Sequence, residues 1–184
     1  FARGCNIGAT HSESEFIFFL NPDTVIQNSN LENMLSAFRE DNRLGIVGPK
    51  IYNEDGTFMK TCRNFPNLKN FLVHQFGLDN LFKNHAWIID QNKDSPSSIV
   101  PTIIGAAFMV RKDIFNKLKG FDEDYFVYFE EVDFCYRANV IGYNSLFLTS
   151  SKLTHIGNIT TESVPTRILP YSIMSSLIYF KKHR

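Results

Sequence analysis

The sequence lacks an apolar run that could cross a membrane. Its longest runs, such as Ile103 to Val110, fall far short of the ~18 residues a span needs. It shows no basic segment leading into an apolar one, so no signal peptide is visible, and it begins without Met. Its cysteines are only Cys5, Cys62 and Cys135, an odd set without a CxxC pair. That argues against a structural zinc site or a disulfide framework and for reduced thiols in a cytoplasmic compartment. Net charge is absent too: 19 Lys and Arg face 19 Asp and Glu. This excludes a strongly basic nucleic-acid binder and an acidic disordered tail. Against these absences stands an excess of Phe, 18 residues beside a single Trp in a chain of 184. Such a chain calls for a packed core, of a size that suits one domain.

Strand and helix signals alternate along the chain, which predicts a three-layer α/β domain. Glu15 to Leu20 is a short Phe-rich run ending in Asn21-Pro22-Asp23-Thr24, and it reads as a central buried strand. A helix follows, capped by Asn28 or Ser29, with Leu31, Met34, Leu35 and Phe38 at helical spacing. Leu44 to Tyr52 and Thr57 to Cys62 read as a hairpin around Asn53-Glu54-Asp55-Gly56. Residues 64 to 98 carry no clear pattern, and a long irregular stretch of this kind is often functional. Ile99 to Val110 reads as a strand interrupted at Gly105-Ala106-Ala107, Lys112 to Lys119 as a helix stopped by Gly120, and Glu130 to Ile141 as a helix stopped by Gly142. Tyr143 to Leu148 is the next strand. A helix beyond Pro170 carries the apolar stripe Ile173, Met174, Leu177 and Ile178 and a basic end. It is expected to pack on the core, with rest on an anionic membrane surface as the alternative. Asn158-Ile159-Thr160 matches the glycosylation tripeptide, which a reducing compartment would leave unused.

Four places carry potential chemistry. Asp23 follows the end of a buried strand, where ligands of open α/β sheets bind, and a carboxylate there suits Mg²⁺ or Mn²⁺. The plain alternative is a turn, since Asn, Pro and Asp are turn formers. Gly105-Ala106-Ala107 permits close approach of a ligand to backbone, or marks a bulge. Glu130 and Glu131 open a helix whose dipole favours carboxylates, and the same field keeps a general base ionised. Asp133 is four residues before Arg137 and reads as its structural partner. The preceding run Phe126-Val127-Tyr128-Phe129 is apolar enough to wall a pocket. His155 alone reads as structural; with Asp23 it makes a plausible Mn²⁺ pair.

These pieces together resemble family 2 glycosyltransferases. Phe1-Ala2-Arg3-Gly4-Cys5-Asn6-Ile7-Gly8 is similar to their "G-F-A-x-G-x-N-x-G" segment, and Leu20-Asn21-Pro22-Asp23 to their "L-L-N-P-D" turn. Gly105-Ala106-Ala107-Phe108-Met109-Val110-Arg111 resembles "G-A-x-M-L-V-R". Gly120 to Arg137 resembles "G-F-D-E-x-F-F-x-Y-x-E-D-x-D-L-C-x-R", and His155 falls where a His follows the next strand. The rhamnosyltransferase-like and galactofuranosyltransferase-like branches are nearest. The resemblance covers nearly all of residues 1–160.

The resemblance implies a GT-A fold over residues 1–164 that lacks the first, nucleobase-binding strands, followed by a helical segment over 165–184. It implies transfer of a sugar, with inversion, from a nucleoside diphosphate (dTDP-rhamnose first, UDP-galactofuranose second) to a hydroxyl of a glycan or lipid-linked acceptor. Asp23 and His155 would hold Mn²⁺ or Mg²⁺. Asn6, Asn21, Asp23, Gly105 and Ala106 would bind the donor, and Glu131 or its neighbour Glu130 would be the base. The base position holds Glu131 where the family usually has Asp. No nucleic-acid partner is expected; a cytoplasmic location is, with peripheral contact at the inner face of a plasma membrane as the alternative. A non-catalytic sugar-binding module of the same fold is the alternative. A phosphohydrolase would need more carboxylates and His than the chain offers.

Overall fold

The computed structural model describes residues 1–26, 28–78, 81–82, 86–156 and 165–183. In chain order the elements are α1 (Ala2–Thr10), β1 (Phe16–Leu20), β2 (Thr24–Ile26), α2 (Asn28–Glu40), β3 (Leu44–Asn53), β4 (Phe58–Met59) and β5 (Cys62–Arg63). There follow α3 (Leu68–Gln75), β6 (Ser98–Val100), β7 (Thr102–Ile103), β8 (Ala107–Arg111), α4 (Lys112–Lys117), α5 (Glu130–Val140), β9 (Asn144–His155) and α6 (Pro165–Lys182).

The main sheet runs β1-β8-β3-β9-β2, with β4 on β3 and β6 on β9. Only the β3/β9 pair is parallel, so the sheet is mixed. Side chains alternate across it as the pleat requires. Ile46, Phe108 and Val110 face a core shared with α1, α4 and α5, while Val47 and Met109 face Met34 and Phe38 of α2. Helices on both faces make the three layers expected. Much of the Phe content lies in the first core, where the Phe121 ring sits 5.0 Å from Phe19 and 5.2 Å from Phe134.

Several sequence expectations change. The strand at Phe16–Leu20 stands at an end of the described sheet order, pairing only with β8, rather than centrally. Its unbroken apolar run arises because Ile17 and Phe19 enter one core while Phe16 and Phe18 pack beneath α2. Helix α2 begins at Asn28 itself, so both expected capping residues lie inside its first turn. The hairpin around Gly56 forms, with Ile51 opposite Met59, but its return arm leaves after two residues. Cys62 and Arg63 instead pair with Ile103 and Thr102 in a separate small sheet. The stretch expected as one strand from Ile99 to Val110 is three, β6, β7 and β8, serving both sheets. The irregular segment contains α3, closed at its start by a reciprocal Asn67–Asn70 capping box. Strand β9 runs on to His155, so that residue is its last member rather than part of a following loop.

The C-terminal helix starts at Pro165 and passes through Pro170, which removes one donor without ending it. Its predicted stripe packs inward only at Ile178: Ile173, Met174 and Leu177 are exposed, while Ser175, Ser176 and Tyr179 are buried. Aromatic contacts decide the rotation. Tyr179 meets Phe129 and Tyr136, and Phe180 meets Phe71. No helix among the described residues is long and apolar enough to cross a membrane. The glycosylation tripeptide at Asn158 lies outside the described residues.

Candidate active site

Strands β1, β3 and β9 run in one direction, so their carboxyl ends, at Leu20, Asn53 and His155, share one edge of the sheet. The chain turns sharply after β1: the Thr24 hydroxyl donates to the Asn21 carbonyl at 2.6 Å, and the Asn21 N–H donates to the Ala106 carbonyl at 3.0 Å. β2 then pairs antiparallel with β9, with Thr24 opposite His155, and the Ile156 N–H donates to the Asp23 carbonyl at 2.7 Å. This register sets the Asp23 carboxylate against the His155 ring, Oδ1 to Nε2 3.2 Å. The distance suits an ion pair, yet both atoms are buried and neither makes a hydrogen bond. Ring and carboxylate are close without a hydrogen bond between them, so neither facing atom is filled. A divalent cation accepts an imidazole nitrogen and a carboxylate oxygen in this way, with phosphate oxygens and water completing its shell. The donor set therefore fits such an ion. No group of three or more His, Cys, Asp or Glu gathers among the described residues, so the chain itself offers these two ligands.

The second feature is the start of α5. Tyr128 (φ 63°) and Phe129 (φ 71°) both adopt the left-handed region, rare for large non-glycine residues and typical of functional sites. The double kink turns the first turn of α5 into the cavity. No side-chain hydrogen bond caps this helix among the described residues, and the N–H groups of its first turn lower the Glu130 and Glu131 carboxyls against the effect of burial. Each carboxylate keeps a buried Oε2 without a partner. Burial, and then the neighbouring Glu131, push the Glu130 carboxyl up to about 8. Burial also raises Glu131, opposed by its helix N–H groups and by the nearby Arg63 guanidinium. Two adjacent carboxyls in one water-poor site resist simultaneous ionisation, so one retains a proton into the neutral range.

A cavity of about 590 Å³ joins these features. Its wall includes Asn21, Asp23, Gly105, Ala106, Glu130, Glu131 and His155, together with Val127, Tyr128 and Phe129. Of the predicted residues only Asn6 is elsewhere. Its amide accepts from the Phe121 N–H at 2.9 Å and donates to the Phe121 carbonyl at 2.8 Å, clasping α1 to the loop before α5. Gly120 makes room for this clasp: its φ is +74°, and a Cβ there would lie 2.4 Å from Asn6 Oδ1. Gly105 is less constrained, since an added Cβ would meet Phe1 and Glu131 at 3.7 and 3.8 Å, ordinary contact. A side chain there would occupy cavity space beside Glu131 rather than strain the backbone.

The sequence reading missed Arg63, His74 and Trp87, which also line the cavity. Arg63 lies on the Trp87 ring, 5.6 Å from its centroid, and burial draws its guanidinium below the ordinary arginine value. The unpatterned composition of residues 64–98 was the one available signal for the latter two. Among the described residues, the buried side-chain atoms without hydrogen-bond partners are Asp23 Oδ1, Arg63 Nη1, Trp87 Nε1, Gln91 Oε1, Glu130 Oε2, Glu131 Oε2 and His155 Nε2. All but Gln91 belong to residues lining this cavity. Orphaned buried polar atoms are rare in folded proteins, so their convergence marks where a polar ligand belongs.

The model described as "Glycosyl transferase family 2" matches residues 1–119. The N-acetylglucosaminyl-diphospho-decaprenol L-rhamnosyltransferase of Mycobacterium tuberculosis is 28% identical over 144 residues, covering 77% of this chain and 47% of that protein. Rhamnosyltransferase WbbL of Escherichia coli strain K12 is 22% identical over 175 residues, covering 94% and 64%. The chain thus spans about half to two thirds of the length of these two relatives. Among solved structures, the mannosyltransferase PcManGT from Pyrobaculum calidifontis, in complex with GDP-Man and Mn²⁺, aligns with a TM-score of 0.59 at 13% identity, covering 100% of this chain and 44% of that one. GalNAc-T7 with UDP, GalNAc and Mn²⁺ aligns at 0.58 and 13%, covering 85% and 30%. The structural likeness shows the GT-A fold. With the family model spanning well over half of the chain, the protein belongs to glycosyl transferase family 2.

Proposed function

We propose that this chain carries the catalytic machinery of an inverting, divalent-cation-dependent glycosyltransferase of the rhamnosyltransferase-like kind. The donor is a nucleoside-diphosphate sugar, dTDP-rhamnose first and UDP-galactofuranose second. The acceptor is a hydroxyl of a glycan or lipid-linked sugar in cell-surface polysaccharide synthesis. The observation that carries the reading is the convergence of unpartnered Asp23, His155, Glu130 and Glu131 atoms on one cavity.

Asp23 and His155 would hold the cation, which when bound supplies Lewis-acid stabilisation of the departing diphosphate. Asn21 and the Gly105-Ala106 turn floor the donor side of the cavity. Glu131 takes the proton from the attacking hydroxyl, and a single displacement inverts the anomeric centre. Its burial raises its basicity toward the operating pH, which suits a general base. Val127, Tyr128 and Phe129 wall the site against water, which would otherwise compete with the acceptor. The outward apolar residues of α6 support peripheral contact with the cytoplasmic face of a membrane, where lipid-linked acceptors are met.

The test is calorimetric titration with UDP and with dTDP, with and without Mn²⁺. Binding that requires Mn²⁺ and disappears in Asp23→Ala and His155→Ala is expected. Absence of nucleotide binding at any Mn²⁺ concentration would favour a non-catalytic module of the same fold.

A further inference from the structure

Arg63 and Trp87 belong to neither the acid–histidine pair nor the carboxylate pair, yet they line the same cavity. The small sheet holds them: Arg63 pairs with Thr102 and bridges to Ile88, and the Asn64 N–H donates to the Trp87 carbonyl at 2.8 Å. The indole is already packed, by Arg63, by Phe129 at 5.5 Å and edge-on by His74 at 5.1 Å. It is a platform for the guanidinium rather than a bare face for a sugar ring. Arg63 Nη1 and Trp87 Nε1 are buried and have no acceptor among the described residues. Both atoms are obligatory donors, and a guanidinium keeps its charge. A buried guanidinium donor left unfilled is costly even with Glu131 nearby, so a group that binds here gains most by bringing acceptor oxygens and negative charge. A phosphate satisfies both requirements and matches the guanidinium fork.

The place of this pair in the fold separates it from the cation site. Asp23 and His155 stand at the β2/β9 edge of the main sheet, whereas Arg63 and Trp87 stand on and beside the β5/β7 sheet. Arg63 is close enough to Glu131 to act on its charge. An anion held by Arg63 therefore sits near the carboxylate that addresses the acceptor hydroxyl. We propose that Arg63 and Trp87 form a second anion subsite, which takes a phosphate carried by the acceptor sugar. The word acceptor rests on the glycosyltransferase reading; the subsite itself rests on the two unfilled donors.

The chain contains a single tryptophan, so its fluorescence reports on this subsite directly. The protein, kept free of metal with a chelator, is titrated with glucose 1-phosphate, inorganic phosphate and glucose in separate experiments. A saturable change with glucose 1-phosphate is expected, weaker with inorganic phosphate and absent with glucose. Arg63→Gln should weaken the response at least tenfold and Arg63→Lys should restore part of it, while Arg43→Gln, at an exposed arginine outside the cavity, leaves it unchanged. Should Arg63→Gln fail to fold by circular dichroism, Trp87→Phe keeps the aromatic platform and removes one donor. Its calorimetric affinity for glucose 1-phosphate should fall several-fold. No saturable response, an unchanged response in Arg63→Gln, or loss of response in Arg43→Gln overturns the subsite. Equal affinity for inorganic phosphate overturns its assignment to the acceptor. Loss of Mn²⁺-dependent nucleotide binding with the phosphate response intact sinks the glycosyltransferase reading alone.

Discussion

Two acid–histidine pairs of the described residues differ in what surrounds them. Asp133, only 1% exposed, receives the Arg137 Nε at 2.6 Å, meets His183 Nε2 at 2.7 Å and accepts from the Tyr125 hydroxyl at 3.4 Å. Arg137 in turn donates to the Leu118 and Gly120 carbonyls at 2.7 and 3.0 Å. Every strong donor and acceptor there has a partner, and the cluster ties α5, α6 and the loop after α4 together. Asp23 and His155 are as close in kind, yet their facing atoms make no hydrogen bond. The same residue types thus have their valences filled in one place and left open in the other. The contrast repeats along one helix: Glu130 and Glu131 face the cavity with unpartnered oxygens, while Asp133 is saturated.

Removing one member of each set is the sharpest way to break this comparison. Asp133→Ala leaves Arg137 and His183 facing an emptied buried position. The expected loss is about 3–5 kcal/mol in denaturant unfolding. An unchanged midpoint would show that the cluster is not structural. Glu131→Gln should instead fold normally and bind nucleotide, while turnover in a sugar-transfer assay falls about 10²-fold or more. If Glu130→Gln is the crippling change, the two glutamates exchange roles.

Asp23→Ala should weaken Mn²⁺-dependent nucleotide binding about tenfold or more, equivalent to about 1.4 kcal/mol or above. Its metal-free melting temperature should stay at the wild-type value, because no hydrogen bond is lost; a large drop would place Asp23 with the structural pair. The smallest effect is in pH dependence. Glu130 binds its proton more tightly folded than unfolded, moving from an ordinary 4.5 to about 8. The folded state therefore holds the extra proton, and stability falls as pH rises through that window. Glu130→Gln should flatten the fall in urea midpoints measured between pH 5 and 8, and an unaltered slope would assign it to another group.

Much of the site was legible along the chain because its residues lie in short local motifs. Asn21-Pro22-Asp23 follows a strand, Gly105-Ala106 interrupts one, and Glu130-Glu131 opens a helix; each signal needs only neighbours in sequence. The Asp133–Arg137 pair followed from four-residue helical spacing and is present as read. Arg63 and Trp87 were not legible, since nothing local distinguishes an arginine that will be buried on an indole from one that will be solvated. Asn6 was misplaced for a related reason: its motif is local, but its partner, Phe121, is 115 residues away. The α6 stripe misled because helical periodicity shows that a face is apolar without showing what lies against it.

The sequence by itself determined the alternation of strands and helices, the three-layer class and the motif order that places the chain in its family. These depend on period and turn chemistry, which act over a few residues. Only the tertiary structure decided which polar atoms are filled and which are left open. The β2/β9 register put Asp23 against His155 without a hydrogen bond, and the small sheet brought Arg63 and Trp87 to the same cavity. Saturation of a donor or acceptor is a property of three-dimensional neighbours, and in this protein it separates the site from the scaffold.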